Sequence, residues 1–165
     1  AVGSMVVFLD GAADKSQYRR FKIKISGQPN DVEMMGEMIK RRMKHQEWAY
    51  PDLIVVDGGK TQVSAAMKVI NRHCEQSEAI SSIPVIGLAK RLETIIVPVF
   101  QRHPERSEGS RDSSPTAQND IFQFQEINLP PNSSALNLLK RLRDEAHRFA
   151  VSYHRQLRRK SFLIS

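Results

Sequence analysis

Leu53-Ile54-Val55-Val56-Asp57-Gly58-Gly59-Lys60 decides the fold. Four consecutive apolar residues read as a strand buried on both faces, of the kind found in parallel sheets. A carboxylate, two glycines and a cation follow at once. In open α/β sheets, ligands bind beyond the carboxyl ends of strands, which is where Asp57 falls. The two glycines permit a tight turn with positive φ, and Lys60 can then reach a phosphate. Gly59-Lys60-Thr61 resembles the end of a phosphate-binding loop. The complete pattern needs a glycine five residues before Gly59, and Ile54 stands there instead. Spacing alone leaves Asp57 with two roles, a ligand at a strand end or the cap of the next helix.

Outward from this stretch, strands and helices alternate. Thr61 to about Ile70 reads as the return helix, and Ile83 to Leu88 as the next buried strand. Toward the N-terminus, Met5 to Leu9 reads as a strand, Asp10-Gly11 opens a turn, and Tyr18 to Ile25 alternates like a second strand, so the two make a hairpin. A helix follows. Asn30 and Glu33 have capping-box spacing, Asp31 at the helix start is a candidate cap, and Val32, Met35, Ile39 and Met43 recur at helical intervals. Toward the C-terminus, Glu93 to Val99 and Phe122 to Leu129 look like paired strands. The last helix starts near Ser133-Ser134 and runs to about Lys160, with an apolar stripe of Ala135, Leu138, Leu139, Leu142, Ala146, Phe149, Ala150 and Tyr153. The order is α/β, with antiparallel strands added.

Two segments depart from this pattern. Arg72 to Ala79 and Arg102 to Gly109 agree at five of eight positions, too short for a structural repeat unit. We read residues 71–82 and 101–120 as copies of one inserted element carried in loops. From Gln101 to Asp120 the only hydrophobic residue is Ala117, so that segment is expected to be disordered. His73, Cys74 and His103 lie in these inserts without the paired spacing a metal site needs.

The bulk properties set the limits. A chain of 165 residues with 40% hydrophobic content has enough for a single domain with one core. Net charge +7 and a pI near 9.8 suit a polyanionic partner, because Lys and Arg contacts to phosphates release counterions. One cysteine excludes an internal disulfide and fits a reducing cytoplasm. No apolar run reaches ~18 residues, so no membrane span is expected, and the N-terminus lacks a basic-then-apolar signal pattern.

On the last helix, Asp144 and His147 are neighbours at i and i+3. Arg141, Arg148 and Arg155 recur every seven residues and make one basic face, extended by Arg159. Taken alone, this reads either as a solvated basic helix with a surface histidine or as a helix offering a ligand. Set beside Asp57 it says more. A carboxylate at a strand end and an imidazole on a helix can share one divalent metal, and a basic chain brings phosphates to it. The combination points to phosphodiester cleavage.

Together these motifs resemble the C-terminal nuclease domain of the UvrC family, the incision subunits of bacterial nucleotide excision repair. The resemblance is carried by Met5-Val6-Val7-Phe8, Tyr18-Arg19-Arg20-Phe21, Pro51 to Lys60, Gly87-Leu88-Ala89-Lys90, Leu129-Pro130-Pro131 and Arg143 to Ala150. It implies an RNase H-like mixed sheet with flanking helices. It also implies a DNA endonuclease that cuts 5′ to a lesion in double-stranded DNA, using Mg²⁺ or Mn²⁺ and working with UvrB and the UvrA pathway. Asp57 matches the second catalytic aspartate and His147 the catalytic histidine. Lys60, Lys90 and Arg143 would hold DNA phosphates near the metal, and Asp144 would orient His147. The family pattern begins one strand earlier, with the first catalytic aspartate on that strand. The resemblance therefore implies a partial domain lacking its first, central strand, and inactivity of this chain alone. The alternative is a non-catalytic DNA-binding fragment. The family's GIY-YIG nuclease, UvrB-binding segment and helix-hairpin-helix pair have no match here.

Overall fold

The computed structural model describes residues 2–23, 30–74, 83–89, 93–99 and 123–162. The expected elements Lys90 and residues 101–120 lie outside these. Contacts divide the chain into two units, one of Ala1–Tyr50 with Asn128–Ser165, the other of Pro51–Ile127.

The second unit carries the deciding stretch. Strand β5 (Ile54–Asp57), helix α2 (Lys60–Cys74) and strand β6 (Val85–Ala89) form a strand–helix–strand crossover, and β5 pairs parallel to β6 with Asp57 opposite Leu88. Strands β7 (Thr94–Val99) and β8 (Gln123–Ile127) extend the sheet antiparallel, giving the order β5-β6-β7-β8. Val63, Ala66, Met67 and Ile70 of α2 recur at i, i+3, i+4 and i+7 and are buried, as are Val56, Val85, Leu88, Ile95 and Ile96 from the sheet. Each large aliphatic side chain so buried is worth roughly 1.5–3 kcal/mol. Pro98 sits in β7 beyond the last rung shared with β6 and faces only Phe124 of β8, so its missing N–H breaks no bond on the β6 side. Among the described strands β5 is at the sheet edge, and it is less buried than its apolar run suggests: Val56 is buried, whereas Ile54 and Val55 are half-buried and Leu53, just before the strand, is 43% exposed. The first four residues of the expected insert 71–82 continue α2; residues 75–82 lie outside the description.

The first unit corrects the expected hairpin. Strand β1 (Val2–Met5) pairs antiparallel with β4 (Arg19–Lys22), whereas β2 (Phe8–Leu9) and β3 (Ala12–Ala13) form their own short hairpin. The cause is Asp10-Gly11. Both have positive φ, 50° and 77°, the geometry of a two-residue turn whose twist matches paired strands. That turn folds Phe8-Leu9 onto Ala12-Ala13 and leaves only Val2–Met5 for the longer pairing. Helix α1 (Asp31–Lys44) begins at Asn30, whose side chain accepts from the Val32 N–H at 3.1 Å. The cap is therefore Asn30, and Asp31 is the first helical residue, favourably placed against the helix dipole. Ile39 and Met43 are buried on α1 as its periodicity predicts, but so is Arg42. Helix α3 (Ser134–Phe162) follows the expected bounds. Among its described side chains the buried one is Leu136, one position along from the predicted Ala135, which is exposed.

The result is a mixed α/β architecture of the RNase H-like kind, with three helices among the described residues.

Candidate functional site

Asp57 ends β5 and is exposed. The turn after it does not use left-handed glycines: of the described glycines only Gly11 has positive φ. Of the two, Gly58 serves by its lack of a Cβ. A Cβ at Gly58 would come within 2.7 Å of the Gln62 side chain, which is held there because Gln62 Oε1 accepts from the Gly59 N–H at 3.1 Å. Helix α2 then starts at Lys60, and the Val63 N–H closes its first turn on the Gly59 carbonyl at 3.1 Å. The Gly59 N–H, at the helix start, is thus satisfied by Gln62. Lys60 is not idle: its Nζ pairs with Glu126 Oε1 of β8 at 2.7 Å, both side chains being about half exposed (54% and 53%). Exposed pairs of this kind contribute only about 0–1 kcal/mol, so a phosphate can displace Glu126.

Within the other unit, His147 and Asp144 are exposed on α3. No hydrogen bond joins them among the described residues. Asp144 instead accepts from Arg143 Nε at 3.3 Å, so the expected orienting role of Asp144 finds no contact here. Arg141 and Arg148 are exposed and Arg143 is half-buried; Arg155 lies in α3 with its side chain outside the description.

One polar network in this unit was not legible from spacing. Arg148 donates to Glu145 through Nε (2.6 Å to Oε2) and Nη2 (2.5 Å to Oε1), and the Tyr18 hydroxyl of β4's leading edge donates to Glu145 Oε1 at 2.9 Å. The Arg148 fork, with help from Tyr18, holds the Glu145 carboxyl down to about 2. Burial, reinforced by the carboxylate, pushes the Tyr18 hydroxyl up to about 12. Tyr18 also meets Phe149 edge-on at 5.0 Å, and Arg20 lies over Phe149 (4.3 Å) and Tyr153 (4.7 Å). A faint signal existed. Tyr18 and Arg20 share one face of a strand by the period of two, and Glu145, Phe149 and Ser152 share one face of a helix. Elsewhere, His45 stacks on Trp48 at 3.9 Å, and the buried Arg42 donates to the Ala49 carbonyl at 2.5 Å while its Nη1 has no partner among the described residues.

For a divalent metal, a carboxylate oxygen and an imidazole nitrogen are suitable donors; Asp57 is exposed in one unit and His147 in the other. No group of three or more such donors occurs among the described residues.

The comparisons with known proteins agree with this architecture. The family model described as the UvrC RNAse H endonuclease domain matches residues 1–151. Among curated relatives called UvrABC system protein C, that of Chlorobium chlorochromatii is 44% identical over 95% of this chain and 21% of its own length. That of Bdellovibrio bacteriovorus is 42% identical over 99% of this chain and 24% of its own. That of Methanococcoides burtonii is 44% identical over 96% and 22%. The chain thus spans less than a quarter of the curated relatives it matches. On the extent of the family match, the chain belongs to the UvrC RNase H endonuclease domain family.

Proposed function

We propose that the chain acts as the nuclease part of a repair protein, hydrolysing the DNA backbone 5′ to a lesion in double-stranded DNA during nucleotide excision repair. Asp57 and His147 would hold Mg²⁺ or Mn²⁺, and UvrB, supplied with damaged sites by UvrA, would be the protein partner. The observation that carries this reading is Asp57 at the carboxyl end of β5, beside the start of α2, in a chain matched to an endonuclease domain.

A bound divalent ion would acidify water and offset charge on the cleaved phosphate. The chain's own residues do the rest. Asp57 supplies a fixed negative charge at an open strand end. His147 offers its imidazole from a helix that the Glu145–Arg148–Tyr18 contacts tie to β4. Lys60, Lys90 and Arg143 draw the phosphate in, and Arg141, Arg148 and Arg155 extend the basic face along the backbone. Nothing among these reads a base, so damage recognition rests with the partners. A second reading, a DNA-binding fragment without cleavage, is favoured by the small donor set, one carboxylate and one imidazole.

Calorimetric titration with Mn²⁺ tests the site. Asp57→Asn and His147→Ala are each expected to weaken binding at least about tenfold, since even groups behind the ligands cost that much. Unchanged heats in both variants would refute the assignment.

A further inference from the structure

Where β4 meets α3, a pocket of about 570 Å³ is lined by Lys15, Tyr18, Arg19, Arg20, Arg148 and Phe149. Four of these are cations, two are aromatic and none is an acid. Arg148 is matched by Glu145. The other ion pairs among the described residues join Arg41, His45, Lys60 and Arg143, so Lys15, Arg19 and Arg20 have no carboxylate partner there. Asp14 has its carboxylate turned to Ser16 and Gln17, at 2.6 and 2.8 Å.

The unmatched arginines are nonetheless held. Arg19 donates through Nη1 to the carbonyls of Ser16 (2.8 Å) and Tyr18 (2.9 Å) and lies over Trp48 at 4.7 Å. Arg20 sits over two rings, with a long contact from Nη2 to Ser152 Oγ at 3.4 Å. A guanidinium held over aromatic rings loses little freedom on binding and keeps N–H donors for a forked acceptor. Four cations line the pocket against two nearby carboxylates, Glu145, which Arg148 and Tyr18 engage, and Asp14, which Ser16 and Gln17 engage, and a surplus of like charge attracts an anion. Fixed, unpaired guanidinium groups around an acid-free pocket are what a phosphate needs.

We infer that this pocket grips the phosphodiester backbone of a nucleic-acid strand, with Arg20 as the forked contact and Lys15 and Arg19 supplying charge. The inference rests on the reading of the chain as a DNA-acting domain, but not on Asp57 and His147 binding a metal.

The test is fluorescence anisotropy with a labelled single-stranded oligonucleotide of about ten nucleotides, in EDTA, over a range of salt. Arg20→Gln is expected to weaken binding about tenfold, the loss of one good charged contact. The double variant Lys15→Gln with Arg20→Gln should flatten the log–log salt slope by about 1.4, two contacts at roughly 0.7 each for a single strand. Lys68→Gln, the same loss of charge at an exposed position of α2, should stay within about twofold, because it lies outside the contact. Should Arg20→Gln fail to fold by circular dichroism, Lys15→Gln and the charge-keeping Arg20→Lys give the readout, each expected to weaken binding. Unchanged affinity and slope in the double variant would overturn the inference, as would an equal loss in Lys68→Gln. Binding through this pocket without any nicking with Mn²⁺, even by a version extended through an aspartate-bearing strand, would overturn the nuclease reading and leave the pocket standing.

Discussion

Glu145 and Tyr18 make the chain's clearest acid–base statement. The carboxyl of Glu145 falls from its ordinary 4.5 to about 2, so its contribution is present above pH 4.5 and is lost as pH falls toward 2. Tyr18 is raised from 10.0 to about 12, so its contribution is complete below pH 10 and is lost as pH rises through 12. The phenolate absorbance of the chain should therefore contain a component near pH 12 that Tyr18→Phe removes and Glu145→Gln moves downward. A component indifferent to Glu145→Gln would break the link between the two groups. None of this was legible in the sequence, because the pair is separated by 127 positions and nothing local marks a strand tyrosine as the partner of a helix glutamate. Asp57 was legible for the opposite reason. An apolar run with a carboxylate at its end places that carboxylate by strand geometry alone.

At the level of elements, the crossover around β5 was readable because a continuous apolar run, a helical period and a second apolar run follow in order. The N-terminal hairpin was misplaced because the apolar run Met5 to Leu9 does not reveal that the Asp10-Gly11 turn captures two of those residues for itself. Gly87 shows how closely the crossover is built. A Cβ there would stand 2.6 Å from Val63 Cγ2 and 2.7 Å from the Gly58 carbonyl oxygen, whereas one at Gly59 would meet nothing within 4 Å. The backbone oxygen cannot swing aside as a side chain can. Gly87→Ala is expected to destabilise by about 1–3 kcal/mol, the usual cost of overpacking, and Gly59→Ala by less than about 0.5 kcal/mol, as for a surface change. Urea denaturation of the two variants measures the difference, and equal midpoints would contradict the close packing.

For the molecule as a whole, the two units differ in how the chain supplies them. One is continuous, Pro51–Ile127; the other joins two distant pieces. Composition does not change at either junction, so size alone suggested one domain and the division was invisible before the contacts were known. A fragment of residues 51–127 should unfold cooperatively on heating, since the buried faces of α2, β6 and β7 lie within it, and Gly87→Ala should lower its midpoint. Residues 1–50 alone should give no cooperative transition, because the α3 partners of Tyr18 and Arg20 are missing. The reverse outcome, a folded 1–50 and an unfolded 51–127, would reject the division.

The Lys60–Glu126 pair has a consequence for release if Lys60 meets a DNA phosphate as proposed. A cation already leashed to a carboxylate exchanges one anion for another and is never bare. Glu126 would then act as a built-in competitor, tempering the pull of Lys60 on the phosphate and easing its release.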